Sequence, residues 1–311
     1  MTPLVSVVIP TYHRPRQLAL ALNSVAAQRN LPGPVEVIVV NDGGIDVASP
    51  VEAACRGGLD VRLIDLPTNR GLPIARNTGI DAARGEFLAL LDDDDVFLPD
   101  HLATMLSAIE HEDVDAAYGR CFISSTRVNP LAAPAFPPMP PFAFDADLLA
   151  VANYISVHTA VLRMPPPGAR YDPALPALED WDMWLRLVRE HGYRFHAVGE
   201  VTVVYHRIPT DDSLCGGTVT EAAALARFGR LVQQLWARWP APSERTHRFR
   251  LYIAVLYWNA LAQLADGVRL ADDYFQRCIE EIATVWHGGR SEYDLPERIV
   301  EALQERCVHV A

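Results

Sequence analysis

The sequence contains no lysine, and all 27 basic side chains among its 311 residues are arginines. Without lysine the chain cannot form a Schiff base, anchor pyridoxal phosphate or build the lysine-containing phosphate loop of many nucleotide-binding proteins. Arginine stays charged at every relevant pH, and its planar fork pairs well with carboxylates and phosphates. The cationic chemistry available to this protein is therefore that of arginine.

Cysteine is also scarce, with five residues scattered along the chain and no C-x-x-C pair. This pattern predicts neither a disulfide framework nor a zinc site. A reducing cytoplasm is the expected compartment, and a peripheral position at the inner face of a membrane is the alternative.

Positive charge is in deficit, because 39 acidic residues outnumber the basic ones and the formal net charge is -12. Nucleic-acid binding needs a basic surface, so no nucleic-acid partner is expected. No signal peptide is predicted, because the N-terminus lacks a basic start and a long apolar core. No transmembrane segment is predicted either, because the most apolar late stretch, Leu251 to Ala265, is too short to span a bilayer.

Strand-like and helix-like segments alternate through the first hundred residues, which predicts an α/β fold with a mostly parallel sheet flanked by helices. Ligands bind such sheets beyond the carboxyl ends of the strands. Polar side chains follow three of the predicted strands, so we expect them to converge at one edge. The predicted strands are 4–9, 35–40, 61–65 and 87–91, the helices start near Pro15 and cover 74–83 and 100–109 with Asp100 as the cap, and the polar clusters are Pro10-Thr11-Tyr12, Asn41-Asp42 and Asp92 to Asp95.

The second half of the chain is less regular and ends in helices. Six prolines in 129–144 predict a stiff extended loop, which is either a lid or acceptor loop or a plain surface excursion. We expect a domain over 1–215, with a nucleotide-binding half (1–110) and an acceptor half (111–215), followed by a helical region over 216–311. Further predicted elements are strands 157–164 and 201–205, a helix starting at Glu179-Asp180, and helices 221–236, 246–264 and 272–286.

Four consecutive aspartates, Asp92 to Asp95, follow the apolar strand 87–91. Adjacent carboxylates repel one another, and burying them unpaired is costly. Mg²⁺ or Mn²⁺ is the natural neutralising ion, whereas a solvated charged face is the alternative. Alternate residues of an extended chain share a side, so Asp92 and Asp94 are expected to serve one site.

Asp42 and Arg76 are further candidates for ligand binding. Asp42 precedes two glycines, so it either shapes a turn or accepts the N–H group of a pyrimidine base. Arg76 and Asn77 lie near the first turn of a predicted helix. An arginine there either pairs with a diphosphate or base carbonyl, or is a plain surface residue.

Three candidates remain in the second half. Glu179 and Asp180 either cap a helix or supply the general base for a reaction at a metal site. His206 is either a metal ligand or a strand-end histidine. Weaker candidates of the same kind are His158, Asp211 and Ser213.

Five motifs together resemble family 2 glycosyltransferases with the GT-A fold. They occur in the family's order over residues 4–182, whereas residues 216–311 are not clearly covered. The motifs are Ser6-Val-Val-Ile-Pro-Thr-Tyr12, Val39-Val-Asn-Asp-Gly43, Asn69-Arg-Gly with Ala75-Arg-Asn-Thr-Gly-Ile80, Leu91-Asp-Asp-Asp-Asp95 with Pro99, and Leu178-Glu-Asp-Trp181.

The resemblance implies an inverting enzyme that transfers a sugar from a uridine or deoxythymidine diphosphate sugar to the hydroxyl of a saccharide, a lipid-linked glycan or a small molecule. The aspartate run corresponds to the family's DxD motif. Because all four residues are aspartate, the motif could begin one position earlier or later. Mg²⁺ or Mn²⁺ is the implied cofactor, and the C-terminal helices are a candidate surface for oligomer formation. The implied roles are nucleotide-sugar binding by Pro10, Thr11, Tyr12, Arg14, Asp42, Arg76, Asn77, Asp92 and Asp93, metal binding by Asp94, Asp92 and His206, and catalysis by Asp180 with Glu179.

Three other functions compete with this interpretation. A haloacid-dehalogenase-type phosphatase shares the formal pattern Asp92-Asp-Asp-Asp-Val96, but such enzymes use a lysine near the phosphate. A sugar nucleotidyltransferase needs a glycine-rich loop with lysine, which this N-terminus lacks. A non-catalytic sugar-nucleotide-binding protein is the third, and Asp180→Asn distinguishes it because a binding module should lose nothing.

Overall fold

The computed structural model describes residues 2–124, 126–128, 142–208, 220–271, 274–304 and 308–309. Two compact units are present: Met1–Ala143 with Ile155–Ile208, and Phe144–Tyr154 with Pro209–Ala311. The expected domain boundary at 215–216, Asp211, Ser213 and most of the proline-rich segment lie outside the described residues.

The described elements alternate between strand and helix through the first unit and are mostly helical in the second. The strands are β1 (Val5–Thr11), β2 (Val35–Asn41), β3 (Asp60–Asp65), β4 (Phe87–Leu90), β5 (Val96–Phe97), β6 (Ala116–Ser124), β7 (Ala160–Arg163), β8 (Phe195–His206), β9 (Val268–Arg269) and β10 (Val308–His309). The helices are α1 (Pro15–Ala26), α2 (Ala48–Arg56), α3 (Leu72–Ala82), α4 (His101–His111), α5 (Ala146–Leu149), α6 (Glu179–His191), α7 (Ala222–Arg238), α8 (Glu244–Ala265), α9 (Tyr274–Trp286) and α10 (Leu295–Gln304).

The first unit is built on one sheet with the strand order β3-β2-β1-β4-β7-β6-β8-β5. Strands β1 to β4 are mutually parallel, as the sequence predicts, and β7 runs antiparallel between β4 and β6. All seven residues of β1 are buried, which explains its continuous β-branched run. The predicted α/β class is confirmed, and the carboxyl ends of β1, β2 and β4 lie at one edge.

Two predicted strands differ in length from the observed ones. Residues Val157–Thr159 form a 3₁₀ turn, and β7 begins only at Ala160. Strand β8 starts at Phe195, six residues before the predicted strand, because it pairs along nearly all of β6. The sequence analysis missed β6, whose apolar residues are interrupted by Gly119 and Arg120.

The prediction that the Asp100 side chain caps α4 is wrong. Asp100 occupies the N-cap position, but its side chain makes no capping hydrogen bond. Its Oδ1 accepts a hydrogen bond of 3.1 Å from Asn30 Nδ2 instead. The side chain therefore ties the start of α4 to the residues that follow α1.

The second unit contains α5 and α7 to α10, and the helices predicted at 221–236, 246–264 and 272–286 are confirmed. Arg250 of α8 is buried and donates hydrogen bonds to the carbonyl oxygens of Ala150 (2.9 Å) and Trp239 (2.7 Å). Buried main-chain carbonyls need such donors, so this arginine ties α8 to both segments. Within the described part of the chain, no helix has the length and apolar character needed to cross a membrane.

Candidate active site

The polar residues that follow β1 and β4 meet at one edge of the sheet. Thr11, the last residue of β1, is buried and its Oγ1 donates a hydrogen bond of 2.7 Å to Asp93 Oδ2. Pro10 is buried within β1, whereas the Tyr12 side chain beyond it is 42% exposed. Tyr12 therefore presents an aromatic ring to solvent at the same edge as the aspartate run.

The aspartate run is a turn and not an extended segment. The Asp95 N–H group donates a hydrogen bond of 3.1 Å to the carbonyl oxygen of Asp92, which brings the chain around at Asp93 and Asp94. The expectation of an extended run with alternating sides is therefore wrong. Each carboxylate instead finds its own set of partners.

Asp93 and Asp94 share the guanidinium group of Arg14. Its Nη1 lies 3.3 Å from Asp93 Oδ1 and 2.8 Å from Asp94 Oδ2. Burial raises the pKa of Asp93 to about 6 despite the Thr11 and Arg14 contacts. Burial and the neighbouring aspartates raise the pKa of Asp94 to about 7. Arg14 thus offsets only part of the negative charge at this turn.

Asp95 is fully buried and paired with His158. Its Oδ2 lies 3.0 Å from His158 Nδ1, and its Oδ1 accepts a hydrogen bond of 2.8 Å from the His206 main-chain N–H. Burial lowers the pKa of His158, but the Asp95 charge outweighs it and holds this pKa well above the usual value. Asp92, Asp95 and His158 each offer one ligand atom, all within 4.8 Å of one another.

His206 lies beside the aspartate turn with both ring nitrogens engaged. Its Nδ1 lies 2.6 Å from the carbonyl oxygen of Asp94, and its Nε2 accepts a hydrogen bond of 3.2 Å from the Val128 N–H. The ring is therefore neutral with the proton on Nδ1. Metal coordination by Nε2 requires the Val128 hydrogen bond to break.

A buried guanidinium group connects the end of β4 to the start of α6. Arg76 is 2% exposed, and its Nη2 donates to Asp92 Oδ1 at 2.7 Å while its Nη1 donates to Glu179 Oε1 at 2.6 Å. Burial raises the pKa of Asp92, but Arg76 outweighs it and holds this pKa below the usual value. The alternative of a plain surface arginine is therefore wrong.

Glu179 and Asp180 differ in their surroundings although they are adjacent. The preceding Leu178 has a left-handed backbone (φ 64°), which turns the chain into α6. Glu179 is buried against Arg76, whereas Asp180 is more accessible and its Oδ1 accepts a hydrogen bond of 2.7 Å from the Trp181 N–H. Asp180 is therefore the carboxylate of the pair that an incoming molecule can reach more easily.

The side-chain amide of Asn77 binds the main chain of Tyr171. Its Nδ2 donates to the Tyr171 carbonyl oxygen and its Oδ1 accepts from the Tyr171 N–H, both at 2.8 Å. The sequence analysis missed Tyr171, which is 1% exposed, with the Arg76 guanidinium 5.4 Å from its ring centroid. Tyr171 lies eight positions before the start of α6, and nothing in the neighbouring sequence indicates that its ring is buried beside Arg76.

Asp42 organises the loop between β3 and α3. Its Oδ1 accepts from the Arg70 N–H and its Oδ2 accepts from the Gly71 N–H, both at 2.8 Å. The adjacent Gly43 has φ +71°, and a Cβ atom there would lie 2.2 Å from the Thr68 main chain. In this structure both carboxylate oxygens of Asp42 therefore hold the start of α3 and not a local turn.

Gly43→Ala is expected to lower the free energy of unfolding by about 3 kcal/mol, because it adds a main-chain clash to left-handed strain. Gly58→Ala is the matched control, since Gly58 has φ +95° but a Cβ atom there would meet no other atom within 4 Å. The control should cost about 1 kcal/mol. Urea unfolding of both variants measures the difference, and equal costs would contradict the tight approach at Gly43.

Comparisons with known proteins assign the chain to a family. The sequence profile of Glycosyl transferase family 2 matches residues 6–164. The chain is 32% identical over 205 residues to the uncharacterized glycosyltransferase YwdF of Bacillus subtilis, covering 65% of this chain and 73% of YwdF. It is 36% identical over 148 residues to the succinoglycan biosynthesis protein ExoO of Rhizobium meliloti, covering 43% of this chain and 42% of ExoO.

Solved structures share the fold at low sequence identity. S. aureus TarS 1-349 in complex with UDP superimposes with a TM-score of 0.54 at 16% identity, covering 97% of this chain and 91% of that one. The mannosyltransferase PcManGT of Pyrobaculum calidifontis, in complex with GDP-Man and Mn²⁺, gives a TM-score of 0.51 at 17% identity, covering 98% and 87%. Since the family profile spans residues 6–164 and YwdF is matched over 73% of its length, the chain belongs to Glycosyl transferase family 2 and is a glycosyltransferase with the GT-A fold.

Proposed function

We propose that the protein transfers a sugar from a uridine or deoxythymidine diphosphate sugar to an acceptor hydroxyl, with inversion at the anomeric carbon. The observation that carries this proposal is the buried Arg76 bridge between Asp92 and Glu179. The bridge holds the start of α6, and with it Asp180, at the same sheet edge as the aspartate run. A donor-binding edge and a candidate base are thereby brought together.

The names of similar proteins support the proposed classes of donor and acceptor. TarS was solved with UDP and PcManGT with GDP-Man and Mn²⁺, so nucleotide-sugar donors are bound by neighbours of the same fold. ExoO is named for the biosynthesis of a polysaccharide. We therefore propose a saccharide or a lipid-linked glycan as the acceptor, with a small molecule as the alternative, in the assembly of a polysaccharide or glycoconjugate.

The aspartate turn fits a hard divalent cation. Its carboxylates are oxygen ligands. Burial first, and the neighbouring aspartates second, raise the pKa of Asp93 and of Asp94, and Arg14 only partly opposes this rise. We assign Asp94 and Asp92 to Mg²⁺ or Mn²⁺, with His206 as a further ligand once its Val128 contact breaks. Such an ion, when bound, stabilises the charge of the departing diphosphate.

Asp95 and His158 are kept out of this ligand set. They lie within reach of Asp92, but Asp95 is fully buried and each is already the ionic partner of the other. A buried pair of opposite charge is stable only when both partners remain in place. We therefore propose that this pair stabilises the turn and that the metal ligands are Asp92 and Asp94.

The protein's own residues would bind the donor and move one proton. Tyr12 is exposed and would contact the nucleotide, whereas Asp42 and Arg76 are buried and would shape the nucleotide side through the contacts described above. Thr11 and Arg14 hold the aspartate turn. The Asp180 carboxylate accepts the proton of the acceptor hydroxyl while the acceptor oxygen bonds to the anomeric carbon. The bond from that carbon to the diphosphate oxygen breaks on the opposite face, so the configuration inverts.

A thermal-shift panel of UDP, dTDP, GDP and ADP, each with and without Mn²⁺, tests donor binding. We expect UDP or dTDP to raise the melting temperature, and to do so only with the metal, because an ion held by Asp92 and Asp94 would offset the negative charge of the diphosphate. Asp94→Asn should remove the metal-dependent part of the shift. Stabilisation by none of the four nucleotides would contradict the proposed function.

A further inference from the structure

Tyr171 is fixed in place by contacts that do not involve its hydroxyl group. The Asn77 amide makes two 2.8 Å hydrogen bonds with its main chain, and the Arg76 guanidinium lies 5.4 Å from its ring centroid. The preceding Arg170 pairs with Asp81 of α3 at 2.8 Å. Together these contacts hold the segment on α3. These contacts fix the position of the ring, and none of them involves the hydroxyl group.

The ring of Tyr171 lies beside the charged groups of the site. The Arg76 guanidinium, 5.4 Å from the ring centroid, is the group that bridges Asp92 and Glu179, and Glu179 directly precedes Asp180. Burial raises its pKa, the Arg76 charge opposes this effect, and the carboxylates of Asp180, Glu179 and Asp92 raise it further. The phenol is consequently protonated and available as a donor. The charges acting on it are those that surround the proposed general base.

This hydroxyl has no hydrogen-bond partner among the residues that the structure describes. A buried polar group without a partner is costly, because water has been removed and nothing replaces it. Phenylalanine would fill the same space without that cost. A purely structural role thus accounts for the ring of Tyr171 but not for its oxygen.

We propose that Tyr171 is a positioning residue whose hydroxyl donates a hydrogen bond to the Asp180 carboxylate when the acceptor is bound. In this structure Asp180 Oδ1 accepts a hydrogen bond of 2.7 Å from the Trp181 N–H of its own helix. Acceptor binding turns it toward the reacting hydroxyl. Tyr171 then fixes one oxygen and keeps its own proton, while the other oxygen accepts the proton of the acceptor.

This inference rests on the proposed role of Asp180 as the general base, and Tyr171→Phe tests it because the change removes one oxygen atom alone. We expect kcat to fall about tenfold with the donor KM unchanged, since a base that is held less firmly reacts more slowly. The melting temperature should rise by about 2–4 °C, because an unsatisfied buried group is removed. Turnover is followed as release of nucleoside diphosphate from the donor that the nucleotide panel selects. Water is the acceptor in this assay, and it presents to Asp180 the same reacting O–H group that a saccharide hydroxyl would.

Tyr193→Phe is the matched control at the far end of α6. Its hydroxyl donates to the carbonyl oxygens of Arg163 (3.2 Å) and Met164 (3.3 Å). Removing a partnered hydroxyl should lower the melting temperature and leave kcat unchanged. The two variants therefore shift stability in opposite directions, and only the one at the site slows the reaction.

Asp180→Asn, measured in parallel, separates the proposed base role of Asp180 from the positioning role of Tyr171. Full turnover in Asp180→Asn would overturn the proposed base and the role of Tyr171 with it. Loss of turnover in Asp180→Asn with wild-type kcat in Tyr171→Phe would overturn the Tyr171 inference alone. A Tyr171→Phe variant that is both less stable and slower would show a structural role and would likewise overturn it.

Discussion

Asp180→Asn is expected to reduce sugar transfer by about 10²–10⁴-fold while nucleotide binding is retained. Asparagine has nearly the same shape as aspartate but cannot accept the proton of the attacking hydroxyl. The side chain is not part of the buried Arg76 bridge, so the local structure should persist. Initial rates of nucleoside diphosphate release, together with the thermal shift produced by the nucleotide and Mn²⁺, measure both properties.

Asp113→Asn controls for loss of a carboxylate elsewhere in the same unit. Asp113 has a 93% exposed side chain and a left-handed backbone (φ 48°), which asparagine also adopts readily. It should transfer sugar at the wild-type rate. A non-catalytic binding protein would show no turnover in any form, and wild-type activity in Asp180→Asn would contradict the base assignment.

Arg76→Leu is expected to lower the free energy of unfolding by about 3–5 kcal/mol, the largest stability loss that we predict. The variant leaves Glu179 and Asp92 without the guanidinium group that lies 2.6 and 2.7 Å from them. Glu179 is buried, so its uncompensated charge is the main cost. Urea unfolding with a two-state fit measures the loss. If the second unit unfolds in a separate transition, that transition is fitted separately.

Two further variants make the Arg76 experiment specific. Arg56→Ala removes an exposed pair with Glu52 at 3.6 Å and should cost no more than about 1 kcal/mol. The double variant Arg76→Leu with Glu179→Leu should be more stable than Arg76→Leu alone, because no buried carboxylate is then left unpaired on α6. A loss in Arg76→Leu no larger than that in Arg56→Ala would contradict the bridge.

The parallel half of the fold is predictable because β1, β2 and β4 are buried on both faces. Apolar runs such as Val37–Val40 are typical of a buried parallel strand, and the polar residues after them mark the candidate functional edge. Helix α2 was not predicted from the sequence; it is nine residues long, and Val51 is its only buried residue. Its position depends on packing that the local sequence does not encode.

The residues of the candidate site could be proposed from the sequence, but their contacts could not. The run Asp92 to Asp95 predicts a cation site from its charge alone, whereas its turn depends on partners such as Arg14 and His158 that lie far away in sequence. Arg76 and Glu179 are 103 positions apart, so their pairing follows from the topology of the sheet and not from spacing. The orphaned hydroxyl of Tyr171 is visible only once its neighbours are known.

Proton NMR of the reaction tests the central claim of in-line transfer at this sheet edge most directly. The α-linked nucleotide sugar chosen by the thermal-shift panel is mixed with the enzyme and Mg²⁺, and the anomeric signals are followed from the first minutes. We predict that the nucleoside diphosphate is released as a β-configured product appears, and that Asp180→Asn halts both. An α-configured first product, or turnover that continues in Asp180→Asn, would contradict the account.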